Sequence, residues 1–205
     1  MSKCGTLYII AAASGTGKTS LTDALIRKMP NMVVSISHTT RAIRFGEYEE
    51  KDYFYVTKER FVQMINEGDF LEYAKVFGNY YGTSRKTVEV QIEQGVDIVL
   101  DIDWQGAKQI KAKMPCKTIF LLPPSKEELR FRLEHRGREG FLLIEERFRS
   151  ASAEISHYEE FDYLVVNDSF EGALADLEAI VKADRLSMVR QKWQNKQLLD
   201  DLLRG

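Results

Sequence analysis

The sequence predicts an α/β protein: a parallel sheet covered by helices on both faces. Strand-length apolar runs alternate with helical patterns along the chain. The runs Leu7–Ala12, Val33–Ile36, Val96–Ile102, Thr118–Leu122 and Tyr163–Val166 are nearly continuous rather than alternating, as in strands buried on both sides. A glycine-rich turn joins the first run to the first helical pattern, so an anion site is expected at one end of the sheet.

Taken in order, the first strand leads into a helix over 17–28, whose Leu21, Ala24 and Leu25 recur at helical spacing. Further helices are expected over 84–94, 104–113, 125–135, 142–157 and 170–190. Segment 45–82 breaks the rhythm. Tyr53–Val56, Phe70–Val76 and Tyr80-Tyr81 read as short strands around a small helix over 58–66, with Phe61, Met64 and Ile65 as its core face. This segment reads as an insertion with its own site. From Ala183 to Leu203 the pattern is that of an amphipathic helix with Leu186, Val189, Trp193, Leu198 and Leu199 on its apolar face. Self-association and packing on the parent domain are both consistent with that face.

Composition limits the function classes. The 205 residues suffice for one sizeable core without stabilisation by disulfides or metal. Lys and Arg number 29 against 31 Asp and Glu, a net charge of -2, so no global positive field draws the protein onto nucleic acid or anionic lipid. Cys4 and Cys116, the only cysteines, form no metal-binding pair and no disulfide framework, which fits a reducing, cytoplasmic compartment. No signal peptide, membrane span, repeat or low-complexity tract is read. His38, His135 and His157 are too scattered to read as metal ligands.

Gly15-Thr16-Gly17-Lys18-Thr19 lies between a buried-strand pattern and a helix, the setting that a phosphate-binding loop requires. Inward backbone N–H groups, the helix dipole and the Lys18 ammonium would together hold a polyphosphate, and Thr19 would offer its hydroxyl to Mg²⁺. The strict pattern asks for glycine where Ala12 stands. Asp101 closes the run Val96–Ile102 and is the better magnesium-shell carboxylate, acting through water. Asp103 lies beyond it, placed either to face a second ligand or to cap the helix that follows.

In these motifs, together with Ser37-His38-Thr39-Thr40-Arg41, Gly78-Asn79-Tyr80-Tyr81-Gly82-Thr83, Asp101-Ile102-Asp103-Trp104-Gln105-Gly106 and Val166-Asn167-Asp168, the chain resembles the guanylate kinases, P-loop nucleoside monophosphate kinases. The likeness spans nearly the whole chain and is close to the bacterial housekeeping type. It implies transfer of the γ-phosphoryl group of ATP to GMP or dGMP, with Mg²⁺, in purine nucleotide metabolism.

The resemblance implies one unit over 1–205 with a P-loop NTPase core at 1–36, 83–131 and 148–205, a small mixed α+β GMP-binding insertion at 37–82, and a helical lid at 132–147. It assigns ATP binding to Ala13, Ser14, Gly15, Thr16, Gly17, Lys18, Thr19, Ser20, Arg136 and Asn167. Ser37, Arg41, Arg44, Tyr53, Glu72, Tyr81, Gly82, Thr83 and Asp103 match positions that bind GMP. Arg41, Arg44, Tyr53 and Tyr81 would hold the phosphate, since guanidinium forks and phenols suit a dianion. Glu72, Ser37, Thr83 and Asp103 would read guanine, whose N1–H and N2 amino group suit a carboxylate. The catalytic set it implies is Lys18, Arg41, Arg132, Arg136 and Arg147.

The chain departs from the family pattern at Ile43 and Phe45, at Ala13, and at Phe141-Leu142-Leu143, where apolar residues replace a polar, acidic stretch. A kinase for another acceptor, such as AMP, would not need the pair Glu72 and Asp103. A noncatalytic module that grips phosphorylated protein segments would need neither Lys18 nor the lid arginines.

Overall fold

The structure, a computed structural model, describes residues 5–76, 78–135 and 141–204, with backbone alone at 141–144, 146 and 147. Its elements in chain order are β1 (Leu7–Ala12), α1 (Lys18–Lys28), β2 (Met32–Val34), β3 (His38–Thr39), β4 (Phe54–Tyr55), α2 (Lys58–Glu67), β5 (Phe70–Val76) and β6 (Asn79–Ser84). Then come α3 (Arg85–Glu93), β7 (Asp97–Asp101), α4 (Trp104–Lys111), β8 (Lys117–Leu122), α5 (Lys126–His135), α6 (Phe141–Ile155), a 3₁₀ turn at Tyr158–Glu160, β9 (Tyr163–Val166), α7 (Phe170–Arg185), α8 (Met188–Gln194) and α9 (Lys196–Leu203).

Five strands form a sheet in the order β2-β7-β1-β8-β9, with every pairing parallel. Alternate residues of β1 serve opposite faces. Tyr8 and Ile10 pack with Leu21 and Leu25 of α1 and Leu174, Leu177 and Val181 of α7. Leu7 and Ile9 pack on the other side with Val88 and Ile92 of α3 and Ile110 of α4. Two apolar layers therefore require both faces of the strand to be apolar, which is why the run in the sequence is continuous. The outer strand β9 departs from this rule: Val165 is buried while Leu164 and Val166 are exposed.

The second sheet has the order β4-β3-β6-β5 and mixed pairing: β3 runs parallel to β4, and β6 runs antiparallel to β3 and β5. Phe61 and Met64 of α2 and Phe70 of β5 form its small core, with Ile65 packed against it. Thr57 caps α2 by accepting from the Arg60 N–H, and Gly68 closes it at φ 72°, in the left-handed region where glycine meets no Cβ penalty.

Three expectations are corrected. The strand expected at Val33–Ile36 is Met32–Val34, and a two-residue strand, β3, follows it. The helix expected over 170–190 ends at Arg185, and the single amphipathic helix expected from Ala183 to Leu203 is interrupted at Ser187 and at Asn195. The reason lies in a buried polar cluster. Ser187 takes extended backbone (φ -58°, ψ 145°), and α8 turns so that Arg190, 7% exposed, reaches Asp97 (2.9 Å) and Asp184 (3.1 Å) beneath the sheet. The Thr6 and Tyr8 hydroxyls also donate to Asp184, at 2.8 and 2.9 Å. Leu186, Val189, Trp193, Leu198 and Leu199 are all exposed to some degree, from 38% to 71%, so this face is not buried in the core. No described helix is long and apolar enough to cross a membrane.

Candidate active site

Residues Ala12 to Ser20 line a cleft of about 560 Å³, with Asp101, Arg132 and Glu154 on its other walls. Gly15 and Gly17 sit at φ 88° and 96°, and a Cβ on Gly17 would lie 2.8 Å from Asn167 Nδ2. Those two positions therefore demand glycine, whereas Ala12 is extended in β1, paired with Leu121, and demands none. The loop closes over itself through Thr16 N–H and Ala13 O (3.3 Å), and α1 begins at Lys18. Behind the loop, Asn167 Nδ2 donates to Thr16 O at 2.7 Å. Arg132 donates to Thr16 O (3.3 Å), to Asn167 O (3.2 Å) and to Glu128 (2.7 Å). Asn167 thus braces the loop.

Asp101, at the end of β7, pairs with Lys18 and accepts from the Thr19 hydroxyl at 3.2 Å. Lys18 Nζ also donates to Ile102 O (3.0 Å). These contacts hold the lysine at the carboxyl ends of β1 and β7, where ligands collect in open parallel sheets. Glu154 of α6 is a wall of this cleft that the sequence reading missed, because nothing in its spacing sets it apart from the other charges of a helix face.

A second cleft, of about 220 Å³, brings together Ser37, Tyr53, Glu72, Tyr81 and Asp103, with Asp101 again in its wall. Glu72 is 6% exposed and accepts from the Thr83 hydroxyl at 2.6 Å. Burial pushes its pKa above the ordinary carboxylate value, and Asp103 adds to the rise; the Thr83 bonds and the Lys113 ammonium oppose it. Gly82 lies beneath the site, where a Cβ would come 2.9 Å from Phe70 Cδ1 and 3.0 Å from Phe61 Cζ. Asp103 caps the helix, as one of its two readings expected: its Oδ1 accepts from the Gly106 N–H (2.8 Å) at the start of α4, and the residue also lines the second cleft.

Tyr53 and Tyr81 meet edge to face, with ring centroids 5.9 Å apart, and the Arg41 guanidinium lies 5.3 Å from the Tyr53 ring. Arg44, Ile43 and Phe45 are exposed. Sequence reasoning missed Glu47 and Tyr55. Glu47 forks Arg41 and also accepts from the Tyr55 hydroxyl (2.7 Å) and the Arg44 N–H (2.8 Å). An acid six residues after Arg41 in one short loop was the available signal. Arg136 and the side chains of Arg147 and Phe141-Leu142-Leu143 lie outside the described residues. His38 stacks on Phe54 (4.8 Å), and burial lowers its pKa. Among the described residues no three His, Cys, Asp or Glu side chains cluster as metal ligands.

The clefts are thus a phosphate-loop site and a polar site with a buried carboxylate, and both reach Asp101. The family model described as guanylate kinase matches residues 4–184. The chain belongs to the guanylate kinase family. It is 54% identical to the guanylate kinase of Photorhabdus laumondii and 52% identical to that of Vibrio cholerae, in each case over 97% of this chain and 98% of the relative. The crystal structure of guanylate kinase from Anaplasma phagocytophilum superposes with a TM-score of 0.72 at 36% identity, covering 92% of this chain and 90% of that one. The guanylate kinase family thus includes this chain over nearly its whole length.

Proposed function

We propose that the protein transfers the γ-phosphoryl group of ATP to GMP, and to dGMP, giving ADP and GDP. The observation that carries this reading is Asp101: it lies in the walls of both clefts, so a donor held on the phosphate loop and an acceptor held beside Glu72 would meet at one strand end. A phosphate oxygen of GMP is already an anionic nucleophile, so the chemistry asks for positioning and charge rather than a general base.

In this reading Ala13 to Ser20 wrap the triphosphate, Lys18 neutralises its β/γ end, and Arg132, with Arg136 and Arg147, balances the charge that spreads over the transferring group. Asn167 keeps the loop in place from behind. Arg41, Arg44, Tyr53 and Tyr81 take the GMP phosphate, while Glu72, Ser37, Thr83 and Asp103 take guanine. The Thr19 hydroxyl and Asp101 are hard oxygen donors beside the loop, which suits Mg²⁺, and Asp101 would act through water. Bound there, Mg²⁺ would neutralise phosphate charge. The domain roles follow the same division: 37–82 carries the acceptor, 132–147 is a lid, and 1–36, 83–131 and 148–205 form the core. A cytoplasmic enzyme fits a sequence whose two cysteines form no disulfide framework and no metal-binding pair, and the exposed leucines of α9 support self-association there. Nucleic acid and membrane have no place in this reading.

ADP release, measured with GMP, AMP, CMP and UMP in turn, tests the reading. GMP should be the strongly preferred acceptor. Equal or better turnover with AMP would overturn the acceptor assignment, and no turnover with any acceptor would favour a binding module.

A further inference from the structure

β5 is an outer strand of the second sheet, so one edge of its backbone has no strand to pair with among the described residues. α4 supplies that edge with partners. Tyr73 N–H donates to Gln109 Oε1 at 3.2 Å, and Gln109 Nε2 donates to Tyr73 O at 3.3 Å. One carboxamide thereby does for Tyr73 what the next strand of a sheet would do. Four residues on, Lys113 Nζ donates to Phe70 O (3.1 Å) and Leu71 O (2.6 Å). Between these anchors sits Glu72, at an irregularity in the β5–β6 register.

α4 also comes close to Glu72 itself. A Cβ on Gly106 would be tight against Ile102 Cδ1 at 3.1 Å and at ordinary contact distance, 3.5 Å, from Glu72 Oε2, so the first turn of α4 lies beside the carboxylate. The same helix starts at the Asp103 cap, two residues after the end of β7. One rigid element therefore joins the strand end at the phosphate loop to the strand that carries Glu72.

We infer that Gln109 and Lys113 are positioning residues for acceptor recognition, clamping the free edge of β5 so that Glu72 stands at a fixed place against α4. The inference rests on the GMP reading above and deepens it. Neither side chain lines the acceptor cleft. Gln109 acts through the backbone beside Glu72 alone, so Gln109→Ala reads the clamp by itself; Lys113 holds the backbone on the other side and its charge also favours the ionised Glu72. Nothing in the sequence singles out either residue, since both look like an ordinary polar helix face.

The test uses the full chain with Gln109→Ala, Lys113→Met and the double variant, varying GMP at saturating ATP and then ATP at saturating GMP. Each single variant should raise KM for GMP about three- to tenfold and leave KM for ATP within about twofold, and the double variant should exceed either. Independently of activity, the Tyr73 amide should exchange at least about tenfold faster in Gln109→Ala while the amides of β1 and β7 keep their protection. An unchanged KM for GMP in both single variants would overturn the inference. So would an equal rise in both KM values, which reports a loosened fold. Failure of the wild-type protein to phosphorylate GMP would overturn the functional reading instead, and the Tyr73 exchange would still decide whether the clamp exists.

Discussion

Arg41 and Glu47 face each other end to end: Nη1 and Nη2 of the guanidinium reach the two carboxylate oxygens at 2.9 and 2.8 Å. Nη1 also donates to Ala42 O (2.9 Å), so this fork is fixed to the loop that carries it. Two further guanidinium hydrogens, on Nε and Nη2, take no part in the pair. They form the side edge of the same planar group, whose shape suits two phosphate oxygens, and the Tyr81 side chain also hydrogen-bonds the guanidinium. On the proposed reading, Glu47 orients Arg41 without competing for the acceptor phosphate.

Glu47→Gln should therefore weaken GMP binding, raising KM for GMP by about three- to tenfold with little change in KM for ATP. A fall in KM for GMP would mean that Glu47 competes with the phosphate.

The same pair makes a prediction about acid. The hydrogen bonds from Arg41, above all, hold the Glu47 carboxyl down at about 2, against an ordinary value of 4.5. A depressed carboxylate contributes its stabilisation fully above the unfolded value, and the contribution fades as pH falls through the folded one. The fork should thus be intact at any pH above about 4.5 and open only as pH approaches 2. A carbon-detected titration of the Glu47 carboxyl should find a midpoint near 2 that moves towards 4.5 in Arg41→Lys, since a lysine cannot form the fork. A wild-type midpoint above 4 would contradict the geometry.

What was legible in the sequence, and what was not, follows from how far away each cause lies. β1 was legible because two apolar layers force every residue from Leu7 to Ala11 to be buried. The phosphate loop was legible because Gly15 and Gly17 answer to a local backbone requirement. β3 has two residues, too few to show any period, and exists because β4 and β6 flank it. The break at Ser187 was hidden because Leu186 and Val189 continue a helical apolar pattern, while its cause, Asp97, lies 93 residues from Arg190. Glu47, Gln109 and Lys113 are polar residues whose roles are set by partners that only the fold supplies. The residues proposed for the acceptor, Ser37, Tyr53, Tyr81 and Thr83, came from the family resemblance and not from periodicity.

Lys18→Met should leave a folded protein that transfers phosphoryl groups at least about a hundredfold more slowly, because on the proposed reading the lysine supplies charge to the phosphates, and its ammonium pairs with Asp101 and Ile102 O at the strand ends rather than in the core. Circular dichroism and a thermal scan establish the fold, and the ADP assay reads the rate. Turnover near the wild-type level in the folded variant would sink the phosphate-loop assignment.

Arg190→Met should destabilise the protein by about 3 kcal/mol, because it leaves the part-buried Asp184 without its cation and the buried Asp97 with Arg185 alone (2.9 Å). For Asp184, burial pushes the pKa up, but the bonds from Thr6, Tyr8 and Arg190 outweigh it and hold the value below the ordinary 3.8. That share of stability is present above about pH 3.8 and is lost as the pH drops further. Urea denaturation at neutral pH measures the loss. A loss below about 1 kcal/mol would show that α8 contributes little to the core.

The last prediction turns on Glu72, whose burial sets stability against recognition. Its pKa lies above 4.5, so the folded state resists its ionisation, and its burial costs stability at every pH above the ordinary value. Glu72→Gln removes that cost. The variant should melt at a higher temperature than wild type at pH 7 while losing the carboxylate that, on the proposed reading, accepts from guanine N1–H and N2–H₂. Each charge-assisted bond lost is worth about 1.5–3 kcal/mol, so kcat/KM for GMP should fall about ten- to a hundredfold or more while KM for ATP stays put. In wild type, kcat/KM for GMP should decline on acidification with a component above 4.5 that is missing in Glu72→Gln, and the comparison cancels the titration of the GMP phosphate itself. Asp103 is separable by IMP, which keeps N1–H and lacks the amino group. Wild type should prefer GMP to IMP, and Asp103→Asn should narrow that preference with a milder loss on GMP. If Glu72→Gln keeps full discrimination of GMP from AMP, guanine is read by other residues and the carboxylate is buried for a different reason.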